Sequence, residues 1–243
     1  MKNILLVSTC LFTTSVFAQF GDLKKAIAKP LGSVQNVLNP KKDSLTTSDV
    51  VSGLKEALNV GIDKGTKQLS AVDGFFKDAA IKILMPPEAV KVEESLRKVG
   101  MGNQVDAAIL NMNRAAEDAC KTASPIFVNA IKNMSFADAW AILRGDDKAA
   151  TNYLQKQTSA ELTNAFRPII EQALTKIDAT KHWNTIFSNY NKLTFNKVNP
   201  DLAAYVTEKA LSGIFYQLAI EEIKIRKDPA ARTTEILKSV FGK

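Results

Sequence analysis

Two groups of polar side chains in predicted helices have the donors and acceptors that a site needs. In the first group, Asn113, Arg114 and Glu117 share about one turn of a predicted helix over residues 105–120. A carboxylate can act as a general base while a neighbouring amide or guanidinium polarises a substrate. The same spacing also makes local ion pairs, which contribute little on an exposed face. These residues therefore predict either a site or a solvated helix face.

The second group lies near the C-terminus of the chain. Glu222 interrupts the apolar stripe of a long predicted helix over residues 201–227. A buried carboxylate must be paired, because an uncompensated charge is strongly destabilising, and Arg226 is the nearest partner along the helix. Glu221 and Arg232 could extend the network. The pattern predicts either a structural ion pair or a carboxylate-lined pocket.

Several chemistries lack the residues that they need. His182 is the only histidine, and Cys120 is the only cysteine after residue 18. Histidine-cluster metal sites and intramolecular disulfides are therefore excluded, and His182, beside Trp183, is interpreted as a capping or packing residue. No glycine-rich phosphate loop follows a predicted strand. We predict no cofactor and no metal.

Two hypotheses from different functional classes follow from these residues. The leading one is non-enzymatic binding, between helices, of an envelope protein or of a small apolar or anionic ligand. The alternative is a hydrolase or lyase with Glu117 or Glu222 as general base. Asn113, Arg114 or Arg226 would then polarise the substrate. The alternative requires the two polar groups to meet in one concave pocket.

The first 18 residues have the pattern of a secretory signal peptide. A basic start at Lys2 precedes an apolar run and small residues, with cleavage expected after Ala18. Cys10 allows a lipoprotein interpretation, but Thr9 stands before it where a small residue is preferred. We expect a periplasmic or secreted protein. Removal of Lys2 with the leader lowers the net charge from +7 to +6.

The positive charge is scattered along the chain, which does not favour nucleic acid as a partner. Residues 19–46 form a basic, amphipathic N-terminal arm that Pro30 and Pro40 divide into short pieces. Such an arm can lie on an anionic membrane surface or pack against the main body. Both alternatives stay open.

The rest of the chain predicts one all-α domain over residues 47–243, with about nine to eleven helices. Predicted helix starts are Thr47 or Ser48, Pro86-Pro87, Ser135 with Asp138, Asp146 or Asp147, Thr158-Ser159, Asp201 and Asp228-Pro229. Pro125 is expected to end or kink the central helix. The alternation at Ile81-Lys82-Ile83 allows a short strand, although no partner strand is predicted.

The chain resembles a bacterial family of exported proteins that is known only as domain of unknown function 4197. The resemblance spans roughly residues 44–242 and rests on motifs that occur in order: Asp73-Gly74-Phe75, Met112 to Glu117, Asp138-Ala139, Ile142 to Gly145, Ala150 to Tyr153, Tyr205 to Thr207, Glu222 to Arg226 and Asp228 to Thr234. It implies a helical periplasmic or secreted domain. It implies no reaction, cofactor or ligand.

Overall fold

The computed structural model describes residues 46–176 and 201–232, together with residues 234, 238 and 240. Most of these residues are helical, and no strand occurs among them. The α-helices are α1 (Thr47–Ser70), α2 (Val90–Lys98), α3 (Gly102–Cys120), α4 (Ala123–Lys132), α5 (Phe136–Arg144), α6 (Ala149–Thr175) and α7 (Leu202–Lys227). Short 3-10 helices occupy Pro87–Ala89 and Pro229–Ala231. The all-α prediction is confirmed for this part of the chain.

Several predictions lie outside the described residues. They concern the signal peptide, the N-terminal arm, His182 with the aromatic stretch that follows it, and most of the last predicted helix. The count of nine to eleven helices refers to the whole mature chain and therefore stays a prediction. Within the described part, no helix is both long enough and apolar enough to cross a membrane.

Three helix starts follow from local capping, and at the start of α7 the predicted cap Asp201 accepts from the backbone N–H of Ala204. Ser135 and Asp138 form the predicted capping box at the start of α5, in which each side chain accepts from the other residue's backbone N–H. The cap of α1 is Thr46, with Asp49 as its partner, one or two residues before the predicted position. Pro125 lies in the first turn of α4, where its missing N–H costs no helical hydrogen bond.

The predicted helix start at Thr158-Ser159 is wrong, because α6 runs through both residues. Their hydroxyls turn back along the helix instead of capping a new one. Thr158 Oγ1 donates to the carbonyl of Leu154, and Ser159 Oγ donates to that of Gln155. This i−4 bonding is the alternative that Ser and Thr have inside a helix. Thr158 is buried, so its hydroxyl needs that carbonyl.

The core forms where α3, α6 and α7 pack against each other and α1 packs on α7 and α4. The predicted apolar stripe of α3 is confirmed: Val105, Ile109, Met112, Ala116 and Cys120 are all buried. Cys120 is a core residue, and its burial raises the pKa of the thiol. Residues 71–86 connect α1 to the first 3-10 helix without regular structure longer than a turn. This connection is held by side chains of α3.

Candidate functional site

Asn113 binds the backbone at Ile83, in the stretch 81–83 where the sequence allows a strand and the structure has none. Its carboxamide oxygen accepts from the backbone N–H of Ile83 at 2.8 Å, and its Nδ2 donates to the carbonyl of the same residue at 2.8 Å. Nδ2 also donates to the carbonyl of Ile109 at 2.8 Å. The side chain is fully buried. Asn113 thus replaces a neighbouring strand, and the buried backbone of Ile83 is satisfied without a sheet.

Glu117 holds the same connection one turn further along α3. Its Oε1 accepts from the backbone N–H groups of Phe75 at 3.0 Å and Phe76 at 3.2 Å. Its Oε2 accepts from Arg114 at 2.6 Å. Glu117 is only 3% exposed. The prediction of a solvated face is therefore wrong for Asn113 and Glu117, because both side chains turn inward to backbone groups.

Arg114 continues the network outward to the connection. It contacts Asp73 at 2.6 Å, and the second oxygen of Asp73 pairs with Lys77 at 2.8 Å. Hydrogen bonds from Lys77 and Arg114 hold the pKa of Asp73 below its usual value. Asp73 has φ of 71°, a left-handed conformation that Asp tolerates better than most residues. The next residue is Gly74, and a side chain does not fit there because a Cβ would lie 2.4 Å from the carbonyl oxygen of Gln68.

Glu222 caps a helix that has no side-chain cap of its own. Its carboxylate accepts from the backbone N–H groups of Ala150 at 2.9 Å and Thr151 at 2.8 Å, in the first turn of α6. It also accepts from the Thr151 hydroxyl at 2.8 Å. Lys148 precedes the helix and makes no cap hydrogen bond. A negative charge at this end of a helix is favourable for the same reason that an Asp cap is.

Two arginines satisfy helix C-termini in the same region. The predicted Glu222–Arg226 ion pair is present at 2.9 Å, and Arg226 also donates to the carbonyl of Ile142 near the end of α5. Arg232 donates to the carbonyls of Ile225 and Arg226 near the end of α7. Helix ends leave such carbonyls without helical partners. Arg232 therefore joins this group through backbone contacts and not through a carboxylate.

The structure brings together the members of each group but shows no hydrogen bond or ion pair between the groups within its described part. Asn113, Arg114 and Glu117 share residues 73–83, whereas Glu222, Arg226 and Arg232 share the ends of α5, α6 and α7. Glu221 joins neither group. It pairs with Lys224 at 2.7 Å and accepts from Gln217 at 3.2 Å.

A cleft that the sequence predictions missed lies beside the first group. Residues 80–84 form one wall, and α7 forms the other with Tyr205, Lys209, Ser212, Gly213 and Tyr216. We call it the tyrosine cleft. Its volume is about 400 Å³, within the range of small-ligand pockets. The spacing of Tyr205, Lys209, Ser212 and Tyr216 puts them on one face of α7, a signal visible in the sequence beside the more apolar stripe.

Two lysines line the cleft, and each lies over an aromatic ring: Tyr205 lines the cleft as well, whereas Phe76 lies outside its lining. The ammonium of Lys82 lies 4.0 Å from the centre of the Phe76 ring, and that of Lys209 lies 5.6 Å from that of Tyr205. The Tyr205 hydroxyl donates to the carbonyl of Leu84 at 3.0 Å. Burial raises the pKa of Tyr205, and the negative charges of Glu88 and Glu208 add to the effect. The hydroxyl therefore remains a donor at neutral pH.

The other concave places in the described part include one of about 440 Å³ around Asp73, Gly74 and Lys77. Two more offer less chemistry. One, about 590 Å³, is lined only by residues of α1, so no second element encloses it. The other lies beside Glu222 and Leu218 and holds about 20 Å³, enough for a single water molecule. Among the described residues, no group of three or more His, Cys, Asp or Glu side chains could hold a metal ion.

Fold and site together define a helical protein. Its buried polar side chains bind backbone groups of other segments, and its cleft lies between α7 and the irregular connection over residues 71–86. The chain matches a family described as protein of unknown function, DUF4197, over residues 44–242 and belongs to it. No curated protein and no solved structure matches the chain.

Proposed function

We propose that this is an exported, non-enzymatic binding protein that takes a small anionic ligand with an apolar part in the tyrosine cleft. Export rests on the signal peptide predicted in residues 1–18, which would direct the mature protein to the periplasm or the outside of the cell. The observation that carries the binding proposal is the pair of lysines in the cleft.

Lys82 and Lys209 make no ion pair with a carboxylate of the described residues, whereas Arg114 and Arg226 do. Each ammonium lies over an aromatic ring, which stabilises the cation without neutralising it. An anionic ligand group would find two cations here, while Tyr205 and Tyr216 would contact an apolar or flat part. Polar groups that converge in a concavity with apolar and aromatic parts are typical of small-ligand sites.

The wall of the cleft is held in place before any ligand arrives. Asn113 fixes Ile83 within this wall, and Glu117 fixes Phe75 and Phe76 just before it. Phe75 in turn packs on α7. Its ring lies so close to Gly213 that a Cβ at this position would be 2.5 Å from it. A supported wall loses less conformational entropy when a ligand binds. The predicted site residues of α3 thereby act as support for the cleft.

The hydrolase or lyase hypothesis receives less support from the geometry. Each oxygen of Glu117 and Glu222 already accepts at least one hydrogen bond from a backbone N–H, a hydroxyl or an arginine. A general base needs a free lone pair within reach of the substrate proton. Both carboxylates are also buried. A substrate would have to displace contacts that hold helices and connection together.

Native mass spectrometry of protein isolated from the producing cells tests the binding proposal. We expect a retained ligand mass on the wild type and its loss from Lys82→Gln/Lys209→Gln. The matched control is Lys64→Gln/Lys98→Gln, which removes the same charge from exposed sites on α1 and α2. The control should retain the ligand. A wild type that is repeatedly free of ligand, or a ligand that persists without both cleft lysines, would refute the proposal.

A further inference from the structure

The wall of the tyrosine cleft has the hydrogen-bonding pattern of a strand with one edge that is only partly occupied. Residues 82–86 contain no helix, turn or bend. The N–H and C=O of Ile83 both point to Asn113. In an extended chain, the backbone groups of alternate residues point to opposite edges. The carbonyl of Leu84 follows this rule, since it accepts from Tyr205 on the side of α7.

Two backbone groups remain open on the side of α7. Within the described residues, neither the C=O of Lys82 nor the N–H of Leu84 has a hydrogen-bond partner. Both residues line the cleft, and Leu84 is 56% exposed. These two groups flank Ile83 on the edge that Asn113 does not use. An acceptor and a donor placed in this way are what a parallel neighbouring strand engages through a single residue.

We propose, resting on the function proposed above, that the ligand class of the tyrosine cleft is an extended peptide with a free carboxylate. One peptide residue lies opposite Ile83, donates its N–H to the C=O of Lys82 and accepts from the N–H of Leu84. The peptide runs parallel to residues 82–84. This is strand addition, in which backbone hydrogen bonds give affinity and side-chain pockets give specificity.

The remaining groups of the cleft suit the other parts of such a peptide. Lys82 and Lys209 offer charge-assisted hydrogen bonds to a carboxylate, which are stronger than neutral ones. Tyr205 and Tyr216 offer apolar faces with polar tips to the peptide side chains. Tyr216 is 46% exposed, so a peptide in the cleft would cover an aromatic surface that water now contacts.

The experiment uses the full mature chain and three probes. The first is an equimolar library of N-acetylated pentapeptides with free C-terminal carboxylates. The second is the same library with every backbone nitrogen methylated, and the third is a mixture of small carboxylates from acetate to phenylpropionate. Binding is followed by the amide signals of residues 82–84 and 205–216 in nuclear magnetic resonance spectra. We expect the first library to move the Leu84 amide signal and the methylated library to bind about tenfold more weakly or worse.

A matched pair of variants removes only the proposed donor. Leu84→Pro deletes the N–H that has no partner in the described residues and suits an extended backbone. Leu84→Ala removes the side chain but keeps the N–H. We expect Leu84→Pro to weaken library binding about tenfold relative to Leu84→Ala. Equal binding by the two variants would overturn strand addition, and the methylated library gives the same test if the proline variant does not fold.

The outcomes separate the two proposals. Binding of small carboxylates in the cleft with no response to the peptide library would overturn the peptide class and leave the anionic binding site in place. Equal binding by the methylated and unmethylated libraries would also overturn it. The absence of any response to all three probes would count against both proposals.

Discussion

Asn113 and Glu117 show how one helix can replace a second strand and a turn cap. An amide side chain has a donor and an acceptor in the arrangement of a peptide group, so Asn113 can match both backbone groups of Ile83. A carboxylate accepts several hydrogen bonds, so Glu117 can take two adjacent N–H groups and one guanidinium. The role of Asn113 therefore requires an amide and that of Glu117 a carboxylate, and another polar side chain would not serve.

Glu117→Gln should lower the free energy of unfolding by about 2–4 kcal/mol. The amide can still accept from Phe75, but its NH₂ group would face Arg114, a donor against a donor. Denaturant unfolding measures the loss. Asp118→Asn is the control in the same helix, because Asp118 forms only an exposed pair with Lys121, and we expect a change within about 0.5 kcal/mol. Equal effects of the two substitutions would contradict the buried role of Glu117.

Asp73→Asn should change how stability depends on pH. Because the pKa of Asp73 is lowered in the folded protein, its carboxylate stabilises the fold above the pKa of the unfolded chain, about 3.9. That contribution is lost as the pH falls through the folded pKa. The difference between wild type and variant should therefore be largest near neutral pH and shrink on acidification below about pH 4.

Urea unfolding at stepwise pH measures this difference. Asparagine also tolerates a positive φ, so the backbone at position 73 is not an additional variable. Asp63→Asn is the control, since Asp63 pairs only with Lys67 on an exposed face, and we expect little difference at any pH. A wild-type advantage over Asp73→Asn that grows as the pH falls would contradict the role of Asp73.

At the scale of the elements, α6 depends on a cap from α7. Glu222→Gln must place an NH₂ group against either the N–H of Ala150 with Arg226 or the N–H and hydroxyl of Thr151, and each of these groups donates to the carboxylate in the wild type. We expect a loss of about 3 kcal/mol, which for a domain of this size lowers the melting temperature by about 6–12 °C. Differential scanning calorimetry measures it. Glu208→Gln, at an exposed position of the same helix, should melt within about 2 °C of wild type.

Two helical glycines should respond to alanine with opposite signs. At Gly61 a Cβ would meet atoms of Glu221 and Ile225 at 3.7 Å, an ordinary contact, so Gly61→Ala should stabilise by about 0.5–1 kcal/mol through helix propensity. At Gly213 a Cβ would lie 2.5 Å from the fully buried ring of Phe75. Gly213→Ala should therefore destabilise by about 1–3 kcal/mol. Thermal unfolding compares the two variants, and stabilisation by both would refute the close packing at Gly213.

Local signals in the sequence were sufficient for some elements and not for others. The capping box of Ser135 and Asp138 and the apolar stripe of α3 are set by neighbours along the chain, and both were predicted. The uninterrupted course of α6 through Thr158 depends on burial, which makes its hydroxyl bond back instead of capping. The partners of Asn113 and Glu117 lie about 30 to 40 residues away in the chain, so spacing identified the residues but not what they hold.

The cleft was missed for a related reason. Its two walls come from residues 80–84 and from α7, which are far apart in the sequence. The predicted Glu222–Arg226 pair, by contrast, lies within one helix and could be read from the spacing of the two residues. Contacts between segments that are distant in the sequence decide which polar side chains stabilise the fold and which line the cleft.

At the scale of the whole molecule, buried polar groups and the cleft form one arrangement around α7. Its C-terminal half caps α6 through Glu222, and the face that carries Tyr205 and Tyr216 forms a wall of the cleft. The opposite wall is fixed by α3. We infer that the residues with the most conspicuous polar chemistry support the fold, and we propose that the tyrosine cleft binds the ligand.

A map of backbone amide signals during titration with the mixture of small carboxylates tests this claim most directly. We predict that the signals that move belong to residues 80–84 and to the Tyr205–Tyr216 face of α7. Signals near Glu222 at the start of α6, and those along α1, should stay in place. Movement centred on Glu222 or on the exposed face of α1, with the cleft unchanged, would contradict the claim.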